Sequence, residues 1–157
     1  MPSLLAVDLG VRTGLACWGD DGRLRWYRSQ NFGDAARLKR AIPALLDGEV
    51  DLAWLVLEGG GGLADAWTRA GEARALTVRR TSAEEWRGLF LLPREQDGGT
   101  ARLKATADRL ARRVIAWADA PRPTSLRHDA AEAILVGLWG VLVAGWVRRL
   151  PPELLRG

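Results

Sequence analysis

Short apolar runs alternate along this chain with segments of helical periodicity. The runs have the length and composition of buried or half-buried strands. An Asp-Gly pair in the linker 19–22 predicts a hairpin between the second and the third run. Five strands are predicted, at residues 3–9, 13–19, 23–29, 52–57 and 76–79.

Helical patterns fill the intervals between these strands. Asp34 is a typical N-cap residue for a helix with apolar positions from Ala36 to Leu46, which Pro43 would kink or shorten. Ser82 followed by Glu85 is typical of a capping box. Further helices are predicted at 63–75, from Ser82 to about Leu89, at 101–118 and at 126–149. Strands followed by helices in this order favour a mixed α/β sheet with helices packed on it.

The organisation is that of one domain spanning 1–157. A chain of 157 residues with 48 % hydrophobic and 27 % charged residues can bury a substantial core and is typical of globular proteins. Pro93 and the pair Gly98-Gly99 predict a mobile loop at 94–100.

The charge balance indicates a basic outer surface. There are 23 Lys and Arg against 19 Asp and Glu, for a net charge of +4 and a sequence pI near 10.2. Nucleic acid is the natural partner of such a surface. The single cysteine, Cys17, excludes an intramolecular disulfide and a cysteine-based zinc site, and its apolar setting predicts a core position.

No feature of the sequence indicates a membrane protein. The N-terminal segment lacks the pattern of a secretory signal, so a cytoplasmic location is expected. The last predicted helix is apolar but contains Glu132 and ends in Arg148 and Arg149, which favours a core helix over a membrane span.

Four carboxylates stand where predicted elements end or begin. Asp8 closes the first apolar run, and Glu58 closes the fourth, directly before four glycines. Asp129 and Glu132 are three residues apart at the front of the last helix, which puts them on one helix face. If these segments converge, they form an oxygen-rich pocket suited to magnesium or manganese. Such a pocket indicates metal-assisted phosphodiester chemistry.

Three motifs in this order carry a resemblance to a known family. The segments Asp8–Gly14, Leu57–Gly59 and His128–Ala133 together resemble the RuvC family of Holliday-junction resolvases, within the RNase H-like nucleases. The similarity covers residues 4–142 and looks closest to the branch of phages and some bacteria with a His-Asp-x-x-Glu-Ala motif. The resemblance implies an RNase H-like α/β fold of RuvC type, with a mixed five-stranded sheet flanked by helices.

The resemblance also implies roles for particular residues. Asp8, Glu58, Asp129 and Glu132 match the catalytic and metal-binding carboxylates, with Asp8 shared by two Mg²⁺ ions that Mn²⁺ can replace. The implied activity is two-metal hydrolysis of phosphodiesters in a four-way DNA junction by a homodimer, which leaves 5′-phosphate and 3′-hydroxyl ends. The predicted DNA contacts are Arg12, Arg79, Arg80, Arg87, Arg94 and Lys104.

Several assignments stay open from the sequence alone. His128 is either an auxiliary group of the site or a capping or surface residue, and Lys104 is a possible auxiliary group because related proteins place a lysine near the DNA. The loop of four glycines, 59–62, departs from relatives that carry a bulky side chain there, which puts strict sequence preference in doubt. Trp67 is favoured as core or dimer packing, and the predicted helix 63–75 offers small apolar positions for a dimer interface.

Three other functions compete with the resolvase. One is an RNase H-like nuclease that trims ribosomal RNA precursors, which shares the first motif. Another is a non-catalytic junction-binding protein, which four intact carboxylates argue against. The third is half of an actin-like or sugar-kinase ATPase, which needs two copies of the fold where this chain holds one.

Overall fold

A mixed five-stranded sheet forms the centre of the molecule. The computed structural model describes residues 1–155. The strands are β1 (Ser3–Asp8), β2 (Arg12–Gly19), β3 (Leu24–Asn31), β4 (Leu52–Glu58) and β5 (Thr77–Thr81). Their spatial order is β3-β2-β1-β4-β5, with antiparallel pairs β1–β2 and β2–β3 and parallel pairs β1–β4 and β4–β5. All five predicted strands and the mixed sheet are confirmed.

Seven helices follow or connect these strands. They are α1 (Ala35–Asp47), α2 (Gly61–Ala73), α3 (Ala83–Phe90), α4 (Pro93–Gln96), α5 (Gly99–Trp117), α6 (His128–Val143) and α7 (Pro152–Leu155). Asp34 caps α1 by accepting a hydrogen bond from the Arg37 N–H at 2.8 Å, and α1 continues through Pro43. Ser82 caps α3 in the same way, through the N–H of Glu85 at 3.1 Å.

Three predicted boundaries are wrong. The last helix does not reach residue 149: α6 ends at Val143, and Gly145 adopts a left-handed φ of 77° that turns the chain back. The segment 94–100 is partly helical, because α4 occupies its first residues and α5 begins at Gly99. The helix α2 begins at Gly61, inside the glycine run.

Each face of the sheet carries its own apolar core. Alternate side chains of β1 point to opposite faces, as the period of a strand requires: Leu4 and Ala6 face one side, and Leu5 and Val7 the other. The first side packs against α3, α5 and α6, and the second against α1 and α2. The prediction of a core position for Trp67 is confirmed, since its side chain is fully buried in the second core.

The helix α6 lies directly on the sheet because it has glycines where it crosses the strands. A Cβ atom at Gly137 would collide with the buried indole of Trp18, and one at Gly140 would lie 2.9 Å from Cγ2 of Val56. This close approach brings the N-terminus of α6 to the edge at which β1 and β4 end. No helix within residues 1–155 combines the length and the apolar composition needed to cross a membrane.

The core position predicted for Cys17 is confirmed. The side chain is fully buried in β2, and its Sγ lies 3.5 Å from Oε2 of Glu49. Burial, reinforced by the negative charge of Glu49, raises the pKa of the Cys17 thiol to about 12.

We therefore expect native Cys17 to resist thiol reagents at pH 8. A rise of this size lowers the thiolate fraction on the order of a thousandfold, and burial adds a steric barrier. A disulfide reagent should react with the urea-unfolded chain at the rate of an ordinary thiol. A native rate within about tenfold of that control would contradict the buried placement.

Candidate metal and catalytic site

Asp8 and Glu58 are neighbours because two parallel strands end together. The register of β1 with β4 pairs Asp8 directly with Glu58 at the carboxyl edge of the sheet. Burial raises the pKa of Asp8 to about 9, helped by a side-chain hydrogen bond with Glu58 and by the charges of Glu58, Glu132 and Asp129. Without a cation, the Asp8 carboxyl group is therefore protonated at neutral pH.

Asp129 joins this pair from the first turn of α6. The backbone of α6 approaches β2 so closely at this point that a Cβ atom on Gly14 would collide with the carbonyl oxygen of Asp129. On the other side, the Ser29 hydroxyl of β3 donates a hydrogen bond of 2.6 Å to Oδ2 of Asp129. The close backbone contact and this hydrogen bond together fix where the carboxylate lies.

Glu132 is the most buried of the four acids. Its Oε1 lies 3.1 Å from Nη2 of Arg87, which donates a hydrogen bond, and 3.1 Å from Nε2 of His128. Its Oε2 is buried and has no hydrogen-bond partner within residues 1–155. Burial raises the pKa of Glu132, while the Arg87 guanidinium opposes that rise.

His128 and Lys104 lie on the same side of the site. Burial and the positive charge of Lys104 lower the pKa of His128 below its ordinary value, so its imidazole is neutral at neutral pH. The exposed Lys104 projects from α5, within electrostatic reach of His128. The structure thus places His128 beside Glu132 and Lys104 within electrostatic reach of His128, and the roles of both residues stay predictions.

The predicted DNA contacts fall into three groups. Arg87 lies inside the site on Glu132, and Arg80 forms an exposed ion pair of 3.0 Å with Asp65. The guanidinium of Arg79 lies 5.9 Å from the centre of the Trp54 ring. Arg12, Arg94 and Lys104 are exposed. None of these positions tests phosphate binding, so all six DNA contacts stay predictions.

Sequence reasoning missed two residues that position the acids. Gly14 and Ser29 act on Asp129 from strands more than 95 residues away along the chain, and neither contact has a local sequence signal. The pairing of Arg87 with Glu132 also lacks a local sequence signal, because it joins residues 45 positions apart.

The donor chemistry of the cluster suits a hard divalent cation. Four carboxylates supply oxygen ligands, and the orphaned Oε2 of Glu132 is a buried acceptor that lacks a donor. Burial and the negative charges of the neighbouring acids raise the pKa of Asp8, and a cation would relieve the repulsion between these charges. Within residues 1–155, no three of the acidic or histidine side chains already surround a single point at ligand distance.

Comparison with known proteins identifies the fold. No family model and no curated protein matches this sequence. The structure of T. thermophilus RuvC in complex with Holliday junction substrate is similar, with a TM-score of 0.62 and 13 % identity over 92 % of this chain and 96 % of that one. The yeast mitochondrial Holliday junction resolvase Ydc2 has a TM-score of 0.55 and 10 % identity over 91 % of this chain and 81 % of its own.

These similarities establish the class of fold. Both neighbours align with nearly the whole chain, and both share the mixed five-stranded sheet with its flanking helices. The chain therefore has the RuvC-type RNase H-like fold that its sequence motifs predicted.

The close contact at Gly14 predicts that Gly14→Ala damages the site through the backbone. The added methyl group must displace α6 or β2, at a cost of about 1–3 kcal/mol, which lowers the melting temperature by roughly 2–10 °C. Thermal unfolding followed by circular dichroism measures this change.

Gly60→Ala is the matched control for this substitution. Gly60 lies at the same edge of the sheet, has an extended φ of −144°, and would have no atom within 4 Å of an added Cβ. We expect its melting temperature to equal that of the original chain. Equal melting temperatures for all three proteins would show that α6 does not approach Gly14 this closely.

Proposed function

We propose that this chain is a structure-selective endonuclease that resolves Holliday junctions by paired symmetric nicks. The observation that carries the proposal is the convergence of four carboxylates, Asp8, Glu58, Asp129 and Glu132, at one edge of a RuvC-type fold. The two solved neighbours support the choice of substrate, since both are by name resolvases or bound to a junction.

The cofactor in this proposal is Mg²⁺, with two ions per site and Mn²⁺ able to replace them. Asp8, Glu58, Asp129 and Glu132 would hold the ions. When bound, such ions activate water for attack on phosphorus and stabilise the charge on the leaving oxygen. The chain itself supplies the orientation: Ser29 holds one oxygen of Asp129, and the β1–β4 register sets Asp8 beside Glu58.

Positive side chains around the site would hold the DNA backbone. Within residues 1–155, Arg12, Arg94 and Lys104 are exposed and form no ion pair with a carboxylate. Free cations of this kind attract phosphates and give salt-dependent binding. Lys104 is best situated for the scissile region, since its charge reaches His128.

We also propose that the protein acts as a homodimer in the cytoplasm. Two copies related by a two-fold axis would present two sites to the two strands that exchange in a junction. The helix α2 is the favoured interface, because Leu63, Ala66 and Ala70 are only partly covered by the second core.

The alternative functions explain the acidic cluster less well. A protein that only binds junctions has no use for four converging carboxylates, because they repel the phosphates it must hold. An RNA-processing nuclease of the same fold class remains the second candidate, and the substrate decides between the two.

A nicking assay tests the proposal directly. The substrates are a labelled immobile four-way junction, a linear duplex of the same sequence and a single-stranded RNA, each with Mg²⁺, Mn²⁺ or a chelator. We expect symmetric, metal-dependent nicks in the junction alone. Asp8→Asn should lower the nicking rate on the order of a thousandfold or more. It should keep or tighten junction binding, because it removes a negative charge that faces phosphate.

Asp47→Asn provides the control for Asp8→Asn. Asp47 is an exposed carboxylate at the end of α1 that pairs with Arg74, so its loss should leave nicking unchanged. Trimming of the RNA with an untouched junction would move the assignment to the processing nucleases. Tight junction binding without nicks in any metal would favour an architectural protein.

A further inference from the structure

The side chain of Arg87 penetrates the acidic cluster instead of remaining on the surface. Its Nη2 donates a hydrogen bond of 3.1 Å to Oε1 of Glu132, a carboxylate that is itself only 5 % exposed. The Arg87 side chain is 24 % exposed, so this ion pair is shielded far more than the surface pairs of the chain.

The local structure of α3 holds Arg87 in this position. The preceding residue, Trp86, is fully buried in the first core, and Phe90 anchors the same helix one turn later. The guanidinium of Arg87 lies 5.2 Å from the centre of the Trp86 ring, at cation–π distance. The guanidinium is therefore held by an ordered helix and by two favourable contacts.

Arg87 and a divalent cation compete for the same ligand. Oε1 of Glu132 already faces two nitrogen atoms, those of Arg87 and His128, and only Oε2 lacks a partner within the described chain. A metal ion that binds Glu132 must either lie close to the positive charge of Arg87 or displace the guanidinium from the carboxylate. Both cost free energy, since like charges repel strongly in a partly buried site.

We propose that Arg87 is a resident counter-cation of this site, which neutralises Glu132 before metal arrives and weakens divalent metal binding by competing for that carboxylate. The inference rests on the proposed function, because it takes the four carboxylates as metal ligands. Arg87 acts through Glu132, which makes it a positioning residue.

The first experiment counts bound Mn²⁺ in the DNA-free protein. Electron paramagnetic resonance of free Mn²⁺ gives the dissociation constant without any measurement of cutting. Arg87→Gln should bind Mn²⁺ about tenfold more tightly, because a positive charge at ion-pair distance from one ligand is gone. Arg87→Lys keeps the charge and should stay within about threefold of the original affinity.

The matched control for charge removal is Arg74→Gln. Arg74 also forms a hydrogen-bonded ion pair, at 2.7 Å with Asp47, but it lies at the end of α2 away from the acidic cluster. Its loss should leave the Mn²⁺ affinity unchanged. Equal Mn²⁺ affinity in the original protein and in Arg87→Gln would overturn the competition between Arg87 and metal.

A second measurement needs no variant and so does not depend on how Arg87→Gln folds. In the original protein, the side-chain N–H signals of Arg87 and Arg74 are followed by nuclear magnetic resonance during a Mg²⁺ titration. The Arg87 signal should shift and exchange faster with water as its contact with Glu132 breaks, while the Arg74 signal stays constant. An Arg87 signal unchanged at saturating Mg²⁺ would overturn the proposal.

Asp8→Asn separates this inference from the proposed function. If the original protein binds Mn²⁺ with an affinity that falls in Asp8→Asn but is unchanged in Arg87→Gln, that result would support the metal site and overturn only the role of Arg87. If the original protein does not bind Mn²⁺, or if Asp8→Asn binds Mn²⁺ with the same affinity, both the metal site and the role of Arg87 are overturned.

Discussion

The parallel register of β1 with β4 is the constraint on which the site depends. It sets Asp8 beside Glu58 although 49 residues separate them along the chain, and it does so at the edge where both strands leave the core. Burial raises the pKa of Asp8 to about 9, with further contributions from its hydrogen bond with Glu58 and from the negative charges of the neighbouring acids. The sheet core that holds this register therefore also holds the two carboxyl groups side by side, in spite of the cost of burying them.

Three helices bring further acidic and basic side chains to the pair Asp8 and Glu58. Gly137 and Gly140 let α6 lie against the sheet, and Gly14 lets its first turn touch β2, so Asp129 and Glu132 reach the same edge. Positive charge arrives from outside the sheet, from Arg87 on α3 and from Lys104 on α5. These positive charges offset part of the repulsion among the four acids, which helps the folded chain to tolerate a partly buried acidic cluster.

The strands, and the positions of the four acids where strands end or a helix begins, were predictable from the sequence because they depend on local patterns. Apolar runs ending in Asp8 and Glu58 gave strands with carboxylates at their ends, and the structure brings these two acids and the pair on α6 together. The last helix was predicted too long because apolar residues continue past Val143, while the left-handed turn at Gly145 depends on how the chain folds back. Contacts between distant segments, such as those of Ser29 with Asp129 and Arg87 with Glu132, leave no local pattern to find. For that reason, the sequence predicted a DNA contact for Arg87 but not its ion pair with Glu132.

In the proposed function, the four carboxylates form one divalent-metal site. Anomalous diffraction from crystals soaked in Mn²⁺ tests it most directly, because the anomalous signal locates manganese independently of the protein density. We expect anomalous peaks among Asp8, Glu58, Asp129 and Glu132, which disappear in Asp8→Asn crystals. Well-ordered crystals with no manganese at this edge of the sheet, or with manganese only at other carboxylates, would contradict it.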